Sequence, residues 1–181
     1  MSKKFRIKTG VIGVGSMGQN HARVYSEISN LIGVSDLDEK QGKLVAERFG
    51  ISYFKDYREM LKEVQAVTIS TPTSSHREVS DIAFKSGIHA LIEKPLAGNI
   101  LDSEAIIEQA KNNGKILAVG HIERFNEAIR YAKNQLDHKK WGKVLTISAR
   151  RFSNFPSRIH DVGVLFDLSI HDVDIISYLL N

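Results

Sequence analysis

A lysine locked between an acid and a proline, and an aspartate and a histidine four residues apart, are the side chains best suited to do chemistry. Lys94 stands between Glu93 and Pro95, directly after the apolar run His89 to Ile92. An ammonium held there can hydrogen-bond a substrate hydroxyl and stabilise developing alkoxide charge. An ion pair with Glu93 is the other reading of the same spacing. Asp167 and His171 lie four apart in a stretch of helical periodicity, so they share a face. An imidazole there can act as general base on an alcohol, with the carboxylate tuning it. The alternative is a helix whose polar face is simply wet. Asp172 and Asp174 follow closely, but no second motif completes a liganding set, so no metal is expected.

A second group of residues reads as a dinucleotide cradle. Gly13-Val14-Gly15-Ser16-Met17-Gly18 follows an apolar strand and opens a helix. In that context Gly13 permits a tight turn, Gly15 lets the backbone approach a pyrophosphate, and Gly18 lets the helix pack closely on the strand. The amides of the helix start then face the phosphates. Asp36 ends the next strand, at the spacing of a carboxylate that accepts hydrogen bonds from the adenosine ribose. A carboxylate there repels a 2′-phosphate, which favours NAD over NADP. Asp36 and Asp38 both compete to cap the following helix. Asp38 is the better placed, leaving Asp36 for the ribose. Thr71-Pro72 follows a later strand, with His76 on the first turn of the next helix, and Glu93-Lys94 follows another. All are assigned to the ligand-binding carboxyl edge of the sheet. For His76 two readings stand, a group in the site or a solvated surface histidine.

These residues need strands and helices in alternation to hold them. The spacing predicts strands at Lys8 to Val14, Leu31 to Ser35, Ser52 to Phe54, Ala66 to Ser70, His89 to Ile92 and Lys115 to Val119. It predicts helices at Met17 to Ile28, Glu39 to Phe49, Tyr57 to Lys62, Ser75 to Lys85 and Leu101 to Asn112. The strands are near-continuous apolar runs, as in a parallel sheet covered on both faces. Gly50, Gly87 and Gly114 stand where helices should stop. The fold class is therefore α/β, a Rossmann-type doubly wound parallel sheet. After His121 the pattern changes to a helix at Arg124 to Leu136, an alternating strand at Gly142 to Arg151, an aromatic and basic loop, and a long helix at Gly163 to Leu180. Two domains follow: 1–121, binding the dinucleotide, and 122–181, the start of an incomplete α/β open-sheet domain.

Composition narrows the classes of partner. Apolar residues make up 42% and charged residues 25% of the 181, the balance of a globular domain that can bury a core. The net charge of +4 is spread along the chain and suits a small anionic ligand without calling for nucleic acid. Cysteine is absent, which excludes disulfides, thiolate metal sites and a cysteine nucleophile. The start of the chain is basic, but the apolar segment after it is cut by Gly10, Gly13 and Gly15, too short for a signal-peptide core. No stretch spans a membrane, and a cytoplasmic location is expected.

Taken together, the glycine motif, Asp36, Thr71-Pro72 with His76, Glu93-Lys94-Pro95 and Asp167-Leu168-Ser169-Ile170-His171 resemble the Gfo/Idh/MocA oxidoreductases along essentially the whole chain. The resemblance implies oxidation or reduction of a secondary hydroxyl of a sugar, cyclitol or related compound with NAD or NADP. It implies that Lys94 positions the hydroxyl, His171 takes its proton, and Asp167 binds or orients the substrate. It also implies a homo-oligomer built through the second domain. A finer resemblance lies in Gly120-His121-Ile122-Glu123-Arg124-Phe125-Asn126 and Arg158-Ile159-His160-Asp161-Val162-Gly163. These segments are similar to the branch acting on the 3-hydroxyl of UDP-N-acetylglucosamine or a similar nucleotide sugar. His121, Arg124, Arg151 and Arg158 then fall in the substrate site, and the arginines suit a diphosphate. Surface ion pairing is the alternative for them. Because members of the family continue past the position of Asn181, the second domain is expected to be truncated and the chain alone to bind NAD but to turn over sugar feebly or not at all. A dinucleotide or sugar sensor without catalysis is the competing expectation.

Overall fold

The computed structural model describes residues 6–150 and 169–181. They form two compact units that divide between Val119 and Gly120. The first unit runs β1 (Lys8–Ile12), α1 (Ser16–Ile28), β2 (Asn30–Ser35), α2 (Glu39–Phe49), β3 (Ser52–Phe54), α3 (Tyr57–Leu61), β4 (Ala66–Ile69), α4 (His76–Lys85), β5 (His89–Ile92), α5 (Ile100–Asn112) and β6 (Leu117–Val119). All pairings are parallel, in the order β3-β2-β1-β4-β5-β6. The order reverses between β1 and β4, and in such sheets the crevice at the carboxyl ends of those strands takes the ligand. The six-stranded doubly wound sheet matches the expected architecture.

Burial on both faces explains the unbroken apolar strands. Successive side chains of a strand point to opposite faces. Val11 enters one core with Val14, Ala22, Leu31, Val34, Val45 and Ala46. Its neighbour Ile12 enters the other, with Met60, Ile69, Phe84, Ile92 and Ile106. Three of the helices between the strands, α2, α3 and α5, are started by side-chain caps. Asp38 accepts from the Gln41 amide ahead of α2, and Asn99 from the Asp102 amide ahead of α5. Gly50, Gly87 and Gly114 all take positive φ just past their helices, as their positions suggested.

The boundaries differ from expectation where local hydrogen bonds decide. Thr73–Ser75 is a 3₁₀ turn leading into α4. β6 starts at Leu117, because the Lys115 amide closes α5 on Ala110 O (2.9 Å) and the Ile116 amide donates to the His89 ring (2.9 Å).

The second unit contains a 3₁₀ turn (Ile122–Phe125), α6 (Glu127–Asp137) and α7 (Ile170–Leu180). α6 begins after Arg124 because the Asn126 side chain caps the Ala128 amide (3.0 Å). The strand expected at Gly142 to Arg151 does not form: residues 142–150 are irregular, and Arg151 lies outside the described residues. Alternation alone writes two faces, but a strand also needs a neighbour to share its ladder, and no described segment of this unit supplies one. Only Ile170–Leu180 of the expected Gly163 to Leu180 helix falls within the described residues. Among the described residues no helix is long and apolar enough to cross a membrane.

α1 is tied to the residue after β5 by a histidine–carboxylate hydrogen bond. His21 Nε2 lies 2.7 Å from Glu93 Oε1, with both side chains largely buried. Burial pushes the Glu93 carboxyl up, but the His21 hydrogen bond and charge, aided by the Lys94 amide and charge, outweigh it and hold it below the ordinary 4.5. Glu93 thus binds fewer protons folded than unfolded. Its contribution to stability is full above 4.5 and is lost as pH falls through the lower folded value. Urea titrations from pH 6 to pH 3 are expected to show wild type losing stability through that acid range more steeply than Glu93→Gln. In the apolar core Phe84 is fully buried. Phe84→Ala is expected to lower stability by about 3–5 kcal/mol in the same titration at neutral pH.

Candidate active site

The carboxyl edge of the first unit is knotted at the turn after β1. Gly13 takes φ +84°, and a side chain on it would run into the backbone of Ser70 and Thr71 at 2.8 Å. A side chain on Gly18 would strike the Gly13 carbonyl oxygen. The Ser70 hydroxyl donates to that same carbonyl (2.8 Å). The Gly13 amide donates to Ser35 O (2.8 Å), and the Val14 amide to Asp36 Oδ2 (2.6 Å). The turn is thereby pinned to the ends of both β2 and β4, on either side of the switch point.

Its outer rim is open. Gly15, Ser16 and Met17 are exposed, and no atom lies within 4 Å of where a Gly15 side chain would begin. Gly15 has no side chain with which to cap α1, and the first turn of α1 carries no acidic residue. An uncapped helix start with clear backbone approach fits the pyrophosphate of a dinucleotide.

Asp36 ends β2 beside this rim. Its carboxylate accepts from the Val14 amide through Oδ2 (2.6 Å) and the Asp38 amide through Oδ1 (2.9 Å). Asp38 takes the capping role expected of it, on Gln41 N (3.1 Å). A carboxylate has about four acceptor positions, so two amides leave Asp36 able to accept from a ribose diol. The Val14 bond was not foreseen from the sequence, because spacing along the chain does not reveal which side chain a turn amide will find.

The opposite half of the edge carries Thr71, Pro72, His76, Glu93 and Lys94. Pro72 O accepts from the Ser75 amide (2.9 Å) and hydroxyl (2.8 Å), and the Ser75 and Thr71 hydroxyls lie 2.8 Å apart. Lys94 is half-buried and joined to Pro95 by a cis peptide bond. Glu93 spends one oxygen on His21 and accepts the Lys94 amide with the other (3.2 Å). His76 is not a surface residue: it is 1% exposed, with both ring nitrogens turned to backbone carbonyls. His21 was missed in the sequence. Its signal is its place three residues after Gly18 and four before Tyr25, on the face of α1 that meets the sheet.

In the second unit a buried carboxylate gathers two of the expected substrate residues. Asp174 is 8% exposed. Arg124 donates to it from Nε (2.9 Å to Oδ2) and Nη2 (2.6 Å to Oδ1), and His121 Nδ1 lies 3.6 Å from Oδ1. The Arg124 guanidinium also lies over the Tyr178 ring, 5.5 Å from its centroid. The partner of Arg124 is thus a carboxylate of its own unit, and the hydrogen bond to Asp174 pushes the Arg124 guanidinium above its ordinary pKa. His171 sits half-buried on the first turn of α7. Asp167, Arg151 and Arg158 lie outside the described residues. No cluster of His, Cys, Asp and Glu able to hold a metal occurs among the described residues.

Comparison with known proteins gives this geometry its relatives. Residues 7–121 match the Gfo/Idh/MocA family, described as an oxidoreductase family with an NAD-binding Rossmann fold. UDP-N-acetylglucosamine 3-dehydrogenase of Acidithiobacillus ferrooxidans is 39% identical over 169 residues, covering 93% of this chain and 53% of that protein. Its solved structure superposes with a TM-score of 0.88 over 96% of this chain and 56% of the other. The scyllo-inositol 2-dehydrogenase (NAD(+)) of Bacillus subtilis is 32% identical, covering 97% of this chain and 54% of that protein. GenD2 from gentamicin A biosynthesis, solved in complex with NAD, is 25% identical with a TM-score of 0.87, covering all of this chain and 55% of the other. The chain spans about half the length of the curated relatives it matches. With a family match over most of its length and the glycine turn, Asp36 and Lys94 set along one sheet edge, the chain belongs to the Gfo/Idh/MocA family of NAD-binding oxidoreductases.

Proposed function

We propose that the chain serves an NAD-dependent dehydrogenase that oxidises a secondary hydroxyl of a nucleotide sugar, the 3-hydroxyl of UDP-N-acetylglucosamine or a close analogue. The substrate is carried by the 39% identity to the relative named for that reaction. Lys94, two residues past β5 with its amide donating to Glu93, supports the chemistry. When bound, NAD supplies the hydride acceptor. The chain's own residues position and polarise. The glycine turn and the start of α1 take the pyrophosphate, and Asp36 takes the adenosine ribose. The Lys94 ammonium holds the reacting hydroxyl and steadies alkoxide charge, and His171 receives the proton, oriented by Asp167. His121, with Arg151 and Arg158, completes the sugar site, and Arg124 acts there through Asp174. Oxidation of a cyclitol is the second reading, favoured by the 32% identity to scyllo-inositol 2-dehydrogenase. The protein works in the cytoplasm on a small molecule, as a homo-oligomer, without nucleic acid or membrane.

NAD reduction in the presence of UDP-sugars and of free inositols separates these readings. UDP-N-acetylglucosamine is expected to give the highest kcat/KM, and higher values for inositols than for any UDP-sugar would select the cyclitol reading. Asp36 is expected to make NAD bind about tenfold or more tightly than NADP, the worth of one charge-assisted contact. Calorimetric titration of both cofactors checks this, and equal affinities would remove Asp36 from the ribose. In a full-length active form, Lys94→Ala and His171→Ala are each expected to lower turnover by roughly 100-fold or more with little change in NAD affinity. Near-normal turnover in either variant, measured in the same reduction assay, would strike that residue from the mechanism.

A further inference from the structure

The last ladder bond between β4 and β5 runs from the Glu93 amide to Ile69 O (2.9 Å). Beyond it the chain leaves the sheet in two loops, one through Thr71 and Pro72, the other through Lys94, Pro95 and Leu96. Among the described residues no backbone–backbone hydrogen bond joins these loops. His76 spans the gap. Its Nε2 lies 2.9 Å from Thr71 O, and its Nδ1 lies 3.1 Å from Pro95 O and 3.3 Å from Leu96 O. The ring is 1% exposed, and Pro95 is buried beside it. Carbonyl oxygens only accept, so whichever ring nitrogen carries a proton donates on its side, and the flat ring fills the space between the two loops. The loops cannot be tied by backbone at the two prolines, since Pro72 and Pro95 have no amide hydrogen to give.

The position of these loops gives the bridge its consequence. Asp36 at the end of β2 draws the adenosine to one side of the switch point, so the nicotinamide end of a bound dinucleotide must extend over β4 and β5. That is where the bridged loops lie, and one of them carries Lys94. We propose that His76 is a positioning residue that fixes the Thr71–Pro72 loop against the Lys94–Pro95 loop and so shapes the nicotinamide half of the site. It touches neither cofactor nor substrate. The proposal rests on the reading of this edge as the NAD site.

The test uses the whole chain with His76→Phe, which keeps the ring volume and removes both contacts. NAD affinity is expected to fall about five- to tenfold, the loss of a buried hydrogen bond, while affinity for ADP-ribose, which lacks the nicotinamide, stays within about twofold. Hydrogen exchange is expected to quicken at the amides of 71–75 and 94–98 and nowhere else in the sheet. Unchanged exchange in both loops would overturn the proposal. So would faster exchange throughout the core with NAD and ADP-ribose weakened together, the mark of a general packing role. Should His76→Phe not fold, His76→Gln is expected to show the same loop-confined exchange, and wild type to keep a slowly exchanging His76 ring N–H. A ring whose N–H protons exchange freely with water would overturn the bridge. If wild type binds neither NAD nor ADP-ribose, the cofactor reading falls, and loop exchange in the variant alone still decides whether His76 positions the loops.

Discussion

The contact between Gly18 and the Gly13 carbonyl sets how near α1 can come to the turn that starts it. Any side chain at Gly18 would occupy the space of that oxygen, and any at Gly13 would enter the backbone of Ser70 and Thr71. Close packing of helix, turn and neighbouring strand therefore requires both glycines. Because Ser70 closes the knot from β4 and Asp36 closes it from β2, the turn inherits its position from the strands on each side of the switch point. The open rim at Gly15 is the consequence: with everything beneath fixed, the exposed face of the turn is free to present amides outward.

From that knot the site extends along the sheet edge by a chain of tethers that alternate between backbone and buried side chains. His21 carries the constraint from α1 to Glu93, Glu93 passes it to the Lys94 amide, and His76 ties the Lys94 loop back to Thr71. The ordered groups are mostly those that would hold or aim a ligand without reacting with it. This division suits a reaction in which the cofactor supplies the difficult chemistry and the protein supplies placement.

The first unit was legible in the sequence because its signals are local and redundant. Apolar runs such as Ala66 to Ile69 and His89 to Ile92 are bounded by helices, and each element narrows the bounds of the next. Asp38 as the cap of α2 could be chosen over Asp36 from position alone. What could not be read were partners far apart in the chain. Nothing near Val14 announces Asp36 as its acceptor, and a histidine at the start of a helix gives no sign that two loops will close over it. The alternating segment after Trp141 misled for a related reason: residues 142–150 carry the side-chain pattern of a strand, but pairing is a property of neighbours and not of the segment. Likewise Arg124 has the chemistry of a phosphate ligand, and only the burial of Asp174, fifty residues away, reveals the carboxylate it serves.

The bond from the Val14 amide to Asp36 bears on how cofactor preference can be redesigned. The carboxylate that would tell one dinucleotide from another is also a structural tether of the glycine turn. Any selectivity exerted at this position would therefore be coupled to loop shape, and a mutational path toward a phosphorylated cofactor would have to change the charge without losing the acceptor. Truncating the side chain to remove the charge would also remove the oxygen that accepts from the Val14 amide. A successful redesign has to retain a short side-chain oxygen at residue 36 to keep the turn in place, and to introduce the cationic recognition of a 2′-phosphate from somewhere else, with Leu37, whose side chain is fully exposed beside it, the nearest open position.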